Sequence, residues 1–418
     1  MTIRSGAVLL VALAGLSACR DEPKHAETED GRTPASLSSQ IDQLRSLGYV
    51  GFSPAAADPD QSGVFVFDEA RSSPGYNLLT LHSECRSILL ALDGRVVRSW
   101  AHPGGRHWAQ SELLPDGDLL VVGGEAAPNA VGAYIPDRTR FLMRLKWDGS
   151  LRWKRHMPVH HDVEQAPSGQ LLTLTLETRH IPDVHPTYPT RDDRLTLLSG
   201  DGEPIAHCSL YEAVQGLPDV FQFQRVAPMR WGPDIVVDLF HANSIERMHH
   251  PDLAARHPIY AATNILFCTR HQDTIGIINW EECRLLWSWG QNKISGPHDA
   301  QVLESGHILL FDNGLGRGWS RVIELEPLSK EIVWEYRAPN PTDFYTASRG
   351  SAQRLPNGNT LITNSDNGLV FEVTPDGTTV WEYRNPHLNE KGQRGTISRT
   401  KRYTPEYIQQ IEASLGDS

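Results

Sequence analysis

Apolar residues fall along the chain in short bursts, with turn residues between them, and almost nowhere at helical spacing. The runs 119–122, 171–176, 308–311 and 360–363 are β-prone and follow a turn glycine, which predicts short buried strands. Two longer patterns repeat. In the first, a turn leads into a strand carrying Trp: Asp93-Gly94 to Trp100, Asp148-Gly149 to Trp153, Glu281 to Trp287 and Trp289, Leu328 to Trp334, and Asp376-Gly377 to Trp381. Asp201-Gly202 to Cys208 is a further copy without the Trp. In the second, a turn glycine follows a fixed point by eight residues: Ala109 to Gly117, His161 to Gly169, His298 to Gly306 and Gly350 to Gly358.

A unit of about 50 residues with four short strands has the spacing of a propeller blade. The repeats place six blades near residues 63–100, 106–155, 160–210, 225–290, 297–336 and 349–384. The expected fold is therefore all-β, a six-bladed β-propeller over 63–403, closed off by a short C-terminal helix within 404–418. An irregular two-sheet β-sandwich is the alternative, but it leaves the six copies unexplained.

The N-terminus reads differently. Arg4 and the apolar stretch 7–16 form a signal over residues 1–18, too short to span a bilayer as a folded helix. Leu16-Ser17-Ala18-Cys19 resembles a bacterial lipobox, which implies a lipoprotein signal peptide with Cys19 as the lipidated residue. Arg20 follows where Asp would signal inner-membrane retention, so an outer-membrane lipoprotein facing the periplasm is expected, membrane-bound through that anchor alone. An ordinary signal peptide with an incidental Cys is the competing reading. Residues 19–62 read as a polar tether with one short helix around Ile41, Leu44 and Leu47.

Composition changes this picture in three ways. A net charge of −12, from 39 basic and 51 acidic residues, excludes a nucleic-acid binder, which needs a basic face. Hydrophobic residues at 39% supply a core and exclude wholesale disorder. The cysteines beyond Cys19 (Cys85, Cys208, Cys268 and Cys283) match no paired metal-binding spacing, and buried thiols with at most one disulfide are expected. The 18 histidines are a surplus that composition alone does not explain.

Blade geometry gives some of them a place. The start of a blade's first strand and the end of its second lie on one face of the disc. His161 and His298 stand where first strands begin, His241 is expected to begin the first strand of the fourth blade, and Arg270 ends its second. All four should converge at one mouth of the channel, walled by the loops 123–140, 178–194 and 312–321. Asp162 and Asp299 point the other way and read as structural. Imidazoles alone suit a metal, but a neighbouring Arg favours an anion with oxyanion oxygens, and one imidazole can serve as a nucleophile. A non-catalytic ligand-binding or scaffolding propeller and a metal-dependent hydrolase or oxidoreductase remain alternatives.

Several segments resemble bacterial arylsulfate sulfotransferases: Gly75-Tyr76-Asn77-Leu78, His160-His161-Asp162, His241-Ala242-Asn243-Ser244-Ile245, Thr269 to Ile275, Gly296-Pro297-His298-Asp299-Ala300, Phe311-Asp312-Asn313-Gly314 and Leu355-Pro356-Asn357-Gly358-Asn359. They run in order through residues 63–403. The resemblance implies a six-bladed propeller that moves a sulfuryl group from an aryl sulfate to a phenol, with no nucleotide donor, metal or other cofactor. It implies His298 as the nucleophile, His241 and Arg270 on the sulfuryl oxygens with Asn243 assisting, and His161 at the phenolic oxygen or the sulfuryl group. The family's better-known members carry a separate N-terminal β domain, whereas here about 44 residues lie between Cys19 and the first blade. The loops 178–194 (His180, His185, Tyr188, Arg191) and 314–321 (Arg317, Trp319) are expected to shape substrate choice.

Overall fold

The computed structural model describes residues 50–125 and 135–416. The signal segment, Cys19, most of the tether with its short helix, and part of the loop 123–140 lie outside them. Six antiparallel sheets form the blades, and their inner strands neighbour one another in a closed ring. The second strands are the most buried elements: Asn264–Thr269, Ile308–Asp312 and Thr360–Asn364 are buried at every position. Each is sandwiched between adjacent blades, which is why those runs are apolar on both faces.

The second, third, fifth and sixth blades lie close to where the repeats put them, and the other two differ. Gly63–Phe67 does not open the first blade; it pairs with Thr379–Arg384 on the outer edge of the last. The inner strand of the first blade is instead Ile397–Tyr403, paired with Tyr76–Leu81. The ring is thus closed by both ends of the chain. The fourth blade starts at Ala242–Arg247, because Asp234–Asp238 runs parallel to Thr190–Leu198 and belongs to the third. Phe52–Ala56, expected within the tether, is a strand paired with Gln393–Gly395.

The repeated Trp residues fasten neighbouring blades. In four blades the indole N–H donates to a backbone carbonyl in the next blade's turn between third and outer strands: Trp100 to Lys146 O (3.1 Å), Trp287 to Pro327 O (3.0 Å), Trp334 to Pro375 O (2.9 Å) and Trp381 to Leu92 O (2.8 Å). The third blade lacks the Trp, and its outer-strand Cys208 forms a disulfide with Cys283 in the corresponding turn of the fourth. Cys85 and Cys268 are buried thiols.

Side chains on the inner strands brace the channel. Asp162 accepts from Ile245 N and Asp299 from Ala352 N, both at 3.0 Å and both in the next blade. Arg399, from the first blade, reaches across the axis to place one nitrogen 3.0 Å from Asp162 and another 3.0 Å from Asp299. Asp162 and Asp299 therefore hold the ring together rather than orient the histidines beside them.

Candidate active site

The inner strands of the third, fourth and fifth blades each begin irregularly. Register shifts fall between His160 and Val163, Ala242 and Ser244, and His298 and Gln301. At these bulges His161 (φ 59°) and His241 (φ 50°) adopt left-handed backbone that non-glycine residues avoid. Such conformations cost on the order of 1–3 kcal/mol and persist where surrounding structure imposes them. His161 sits within its strand's bulge, and His241 stands just before the bulge of the next inner strand.

The structure brings the four expected residues together. The His161 ring lies 5.0 Å from His241, centroid to centroid. Arg270 N donates to His241 O at 3.2 Å, which fixes the Arg beside that His. Arg270 is fully buried, with Nη1 3.3 Å from His271 Nε2 and Nη2 donating to Ala347 O at 3.4 Å. His298 sits close enough to Arg270 and His241 that, after burial itself, their charges push its pKa well below the usual imidazole range. Asn243 donates its amide N–H to Pro297 O at 2.8 Å, which supports the backbone just before His298, while its Oδ1 has no hydrogen-bond partner among the described residues.

Asn313 decides the chemistry of His298. Its Nδ2 donates to Thr346 O (2.8 Å) and Arg349 O (2.7 Å), so its carbonyl Oδ1 must face His298 Nδ1 at 2.8 Å. His298 Nδ1 therefore carries the proton, a second contact to Gly296 O at 3.0 Å agreeing. Nε2 keeps the lone pair, which accepts from Arg349 N at 3.2 Å. The site thus contains a buried, neutral imidazole with a fixed tautomer beside a guanidinium.

Other groups of the site were not singled out from the sequence. Asp238 Oδ2 lies 2.6 Å from His241 Nδ1, and His271 Nδ1 donates to Asp238 O, also at 2.6 Å. Burial opposes the charge on Asp238, but His241, His271 and Arg191 together outweigh it and hold the carboxyl well below its usual range. Asp238, His241 and His271 offer three donor atoms within 4.8 Å of one another, a spacing a cation could use. Those atoms are already engaged in the hydrogen bonds above, and the Arg270 guanidinium stands against His271 Nε2, where a second cation would be repelled. On the far side of His161, His160 Nδ1 lies 2.7 Å from His161 Nδ1. Signals for His160, His271 and Asn313 lay within the matched motifs; Asp238 had none.

The loop residues divide. Arg191 lies buried on the strand Thr190–Leu198, 3.2 Å from Asp137 and with its guanidinium over Trp231 at 4.4 Å. Arg317 pairs with Asp312 at 2.9 Å and stacks on Trp319 at 4.3 Å. His185 accepts from Tyr188 N at 2.9 Å and closes a surface turn, and His180 is exposed. A cavity of about 620 Å³ is lined by Phe223, Gln224, Asp273, Lys293 and Arg317 among others, and by none of His161, His241, Arg270 and His298.

Residues 142–386, more than half of the chain, match the family model of arylsulfotransferase (ASST). No curated protein sequence matches the chain. Among solved structures, a protein of unknown function from Bacteroides caccae is 16% identical, with a TM-score of 0.49, covering 78% of this chain and 98% of its own. A streptogramin B lyase is 13% identical, with a TM-score of 0.44 and coverage of 84% and 96%. A virginiamycin B lyase from Staphylococcus aureus, with quinupristin, is 12% identical, with a TM-score of 0.42 and coverage of 81% and 87%.

Proposed function

The chain belongs to the arylsulfotransferase family, and we propose that it transfers a sulfuryl group from an aryl sulfate to a phenolic acceptor through a sulfohistidine at His298. The observation that carries the proposal is the tautomer lock. Asn313 keeps the proton on Nδ1, so the lone pair of a neutral imidazole is on Nε2, held only by the 3.2 Å contact from Arg349 N, with Arg270 and His241 close by.

In the first half-reaction Nε2 attacks sulfur in line with the leaving phenolic oxygen. An N–S bond forms, the S–O bond to the aryl group breaks, and the phenol departs. The 3.2 Å contact from Arg349 N to Nε2 gives way to the incoming sulfur. Charge on the sulfuryl oxygens is met by Arg270 and by His241, whose other nitrogen is held by Asp238. In the second half-reaction the acceptor oxygen attacks the same sulfur and restores the imidazole. Fixed cationic and donor groups supply most of the stabilisation, as in phosphoryl transfer.

His298→Ala is expected to abolish transfer from 4-nitrophenyl sulfate to phenol while the melting curve stays that of the wild type. Mass spectrometry of wild-type protein given donor alone should find the sulfuryl group on the His298 peptide. Full activity in the variant would remove the assigned nucleophile.

The same proposal includes export and anchoring through Cys19. The disulfide Cys208–Cys283 supports an oxidising compartment, where such bonds persist. Expressed in a bacterium fed a labelled fatty acid, the full chain should take up label, and Cys19→Ser should not; label retained in the variant would contradict the anchor.

A further inference from the structure

Sulfuryl transfer between phenols has a proton problem that the nucleophile does not solve. The leaving phenolate must be protonated in one half-reaction and the acceptor phenol deprotonated in the other, in a pocket whose imidazoles are buried and resist charge. Burial, then His160 and His241, hold the pKa of His161 well below its usual value, so a free-standing imidazolium is disfavoured there.

Behind His161 stands a line of groups that can hold that proton without charging an imidazole. His161 Nδ1 and His160 Nδ1 are 2.7 Å apart, and two ring nitrogens at that distance share one hydrogen. The rings meet edge-on, with centroids 5.0 Å apart. His160 is 2% exposed and has its other nitrogen, Nε2, 3.3 Å from Asp193 Oδ1. His160 Nε2 makes no hydrogen bond at that distance, and catalytic hydrogen bonds commonly align only once substrate is bound. Asp193 is wholly buried; Oδ1 also accepts from Ala242 N at 3.2 Å, and Oδ2 has no hydrogen-bond partner among the described residues. Burial and the charges of Asp238 and Asp192 raise its pKa well above the carboxylate range, in keeping with a carboxyl that carries a proton.

We propose that His161 is the acid–base group for the phenolic oxygens and that His160 and Asp193 form its proton relay, with the Asp193 carboxyl as the store. The inference rests on the sulfotransfer reading above. In the first half-reaction His161 Nε2–H passes its proton to the departing phenolic oxygen. His161 Nδ1 takes the proton of His160 Nδ1, and His160 Nε2 takes that of Asp193, which becomes a carboxylate. Three protons move one place each, and every imidazole ends neutral. In the second half-reaction the acceptor O–H returns a proton to His161 Nε2, the shifts reverse, and Asp193 is again a carboxylic acid. His161 touches the reacting oxygen; His160 and Asp193 act through it.

The relay is tested by leaving-group dependence in the full-length protein. Single-turnover sulfation of His298 is measured with 4-nitrophenyl sulfate, whose phenolate leaves unaided, and with phenyl sulfate, whose phenolate needs a proton. In His160→Asn and in Asp193→Asn the phenyl sulfate rate should fall about 10²-fold, while the 4-nitrophenyl sulfate rate stays close to wild type. Asp193→Asn keeps the shape of the carboxyl and its contact with Ala242 N, and it decides the matter if His160→Asn does not fold. Sulfation of His298 by 4-nitrophenyl sulfate marks an intact site in either variant. Equal losses with both donors, or no loss with either, overturn the relay. If wild-type protein accepts neither donor, the sulfotransfer reading itself has failed.

Discussion

At the scale of single residues, the site works by what each polar atom has already been given. Asn313 spends its N–H groups on Thr346 and Arg349 and its carbonyl on His298, so one side chain sets both the tautomer and the tilt of the imidazole. Removing it leaves only Gly296 O at 3.0 Å to hold the proton on Nδ1, so the tautomer and the tilt of the ring are fixed less firmly. Asn313→Ala is therefore expected to lower kcat by about 10–100-fold, the usual size of losing a group that orients an active-site ring. KM for the donor should change little, because Asn313 does not face it. An unchanged kcat in steady-state assays with 4-nitrophenyl sulfate would show that the tautomer is set elsewhere.

At the scale of strands and blades, the Trp fasteners and the disulfide occupy equivalent seams. An indole hydrogen bond contributes roughly 0.5–1.5 kcal/mol. A disulfide closing a loop of 75 residues is worth about 4 kcal/mol by the chain-entropy account. The third–fourth seam is thus fastened more strongly than its neighbours, and it is the one flanked by His161 on one side and by His241 and Arg270 on the other. Cys208→Ser, or reduction of the wild type, should lower the denaturant midpoint by the equivalent of about 4 kcal/mol. A shift no larger than that of Trp381→Phe would mean the bond adds nothing beyond an ordinary fastener.

The same scale explains what could be read from the chain before its structure. His161, His298 and Arg270 were legible because strand starts and ends repeat at a fixed distance from turn residues. His241 needed the further guess that 242–247 is a first strand. Asp238 was hidden because its strand joins the third blade in parallel, against the rule that consecutive strands in a blade alternate. Asp193 was hidden because it stands mid-strand among Arg and Asp residues, where its burial depends on the neighbouring blade. The first blade was misassembled for the same reason: strand pairing across more than 300 residues leaves no local trace, as with Ile397–Tyr403 and Tyr76–Leu81.

At the scale of the whole molecule, the channel is filled by charge. Arg399 spans it to Asp162 and Asp299, and Glu246 accepts from Val302 N at 2.6 Å between the fourth and fifth blades. Burial, with Glu164 and Asp299 nearby, pushes Glu246 from an ordinary 4.5 up to about 8. Its folded pKa is raised, so the stability it contributes is fully present below pH 4.5 and is lost as pH rises through about 8. Glu246→Gln keeps an acceptor for Val302 N and carries no proton to lose. The difference in Tm, variant minus wild type, should therefore grow more positive from pH 5 to about 8.5. A difference that is flat with pH would mean Glu246 stays ionised in the folded ring.

Closure by both ends also fixes when the protein can become functional. Gly75, at φ 146°, lets the strand Tyr76–Leu81 approach so closely that any Cβ there would lie 2.4 Å from Tyr403 O. That contact, the inner strand of the first blade and the Arg399 bridge are all supplied by residues beyond 396. During synthesis the other five blades precede that inner strand, and the first blade stays without its inner wall until residues 397–403 have been made. A chain that stops before residue 397 lacks one of the six inner strands and the Arg399 bridge. The ring therefore carries a check on itself: only a chain that has reached residue 403 can wall the channel on every side.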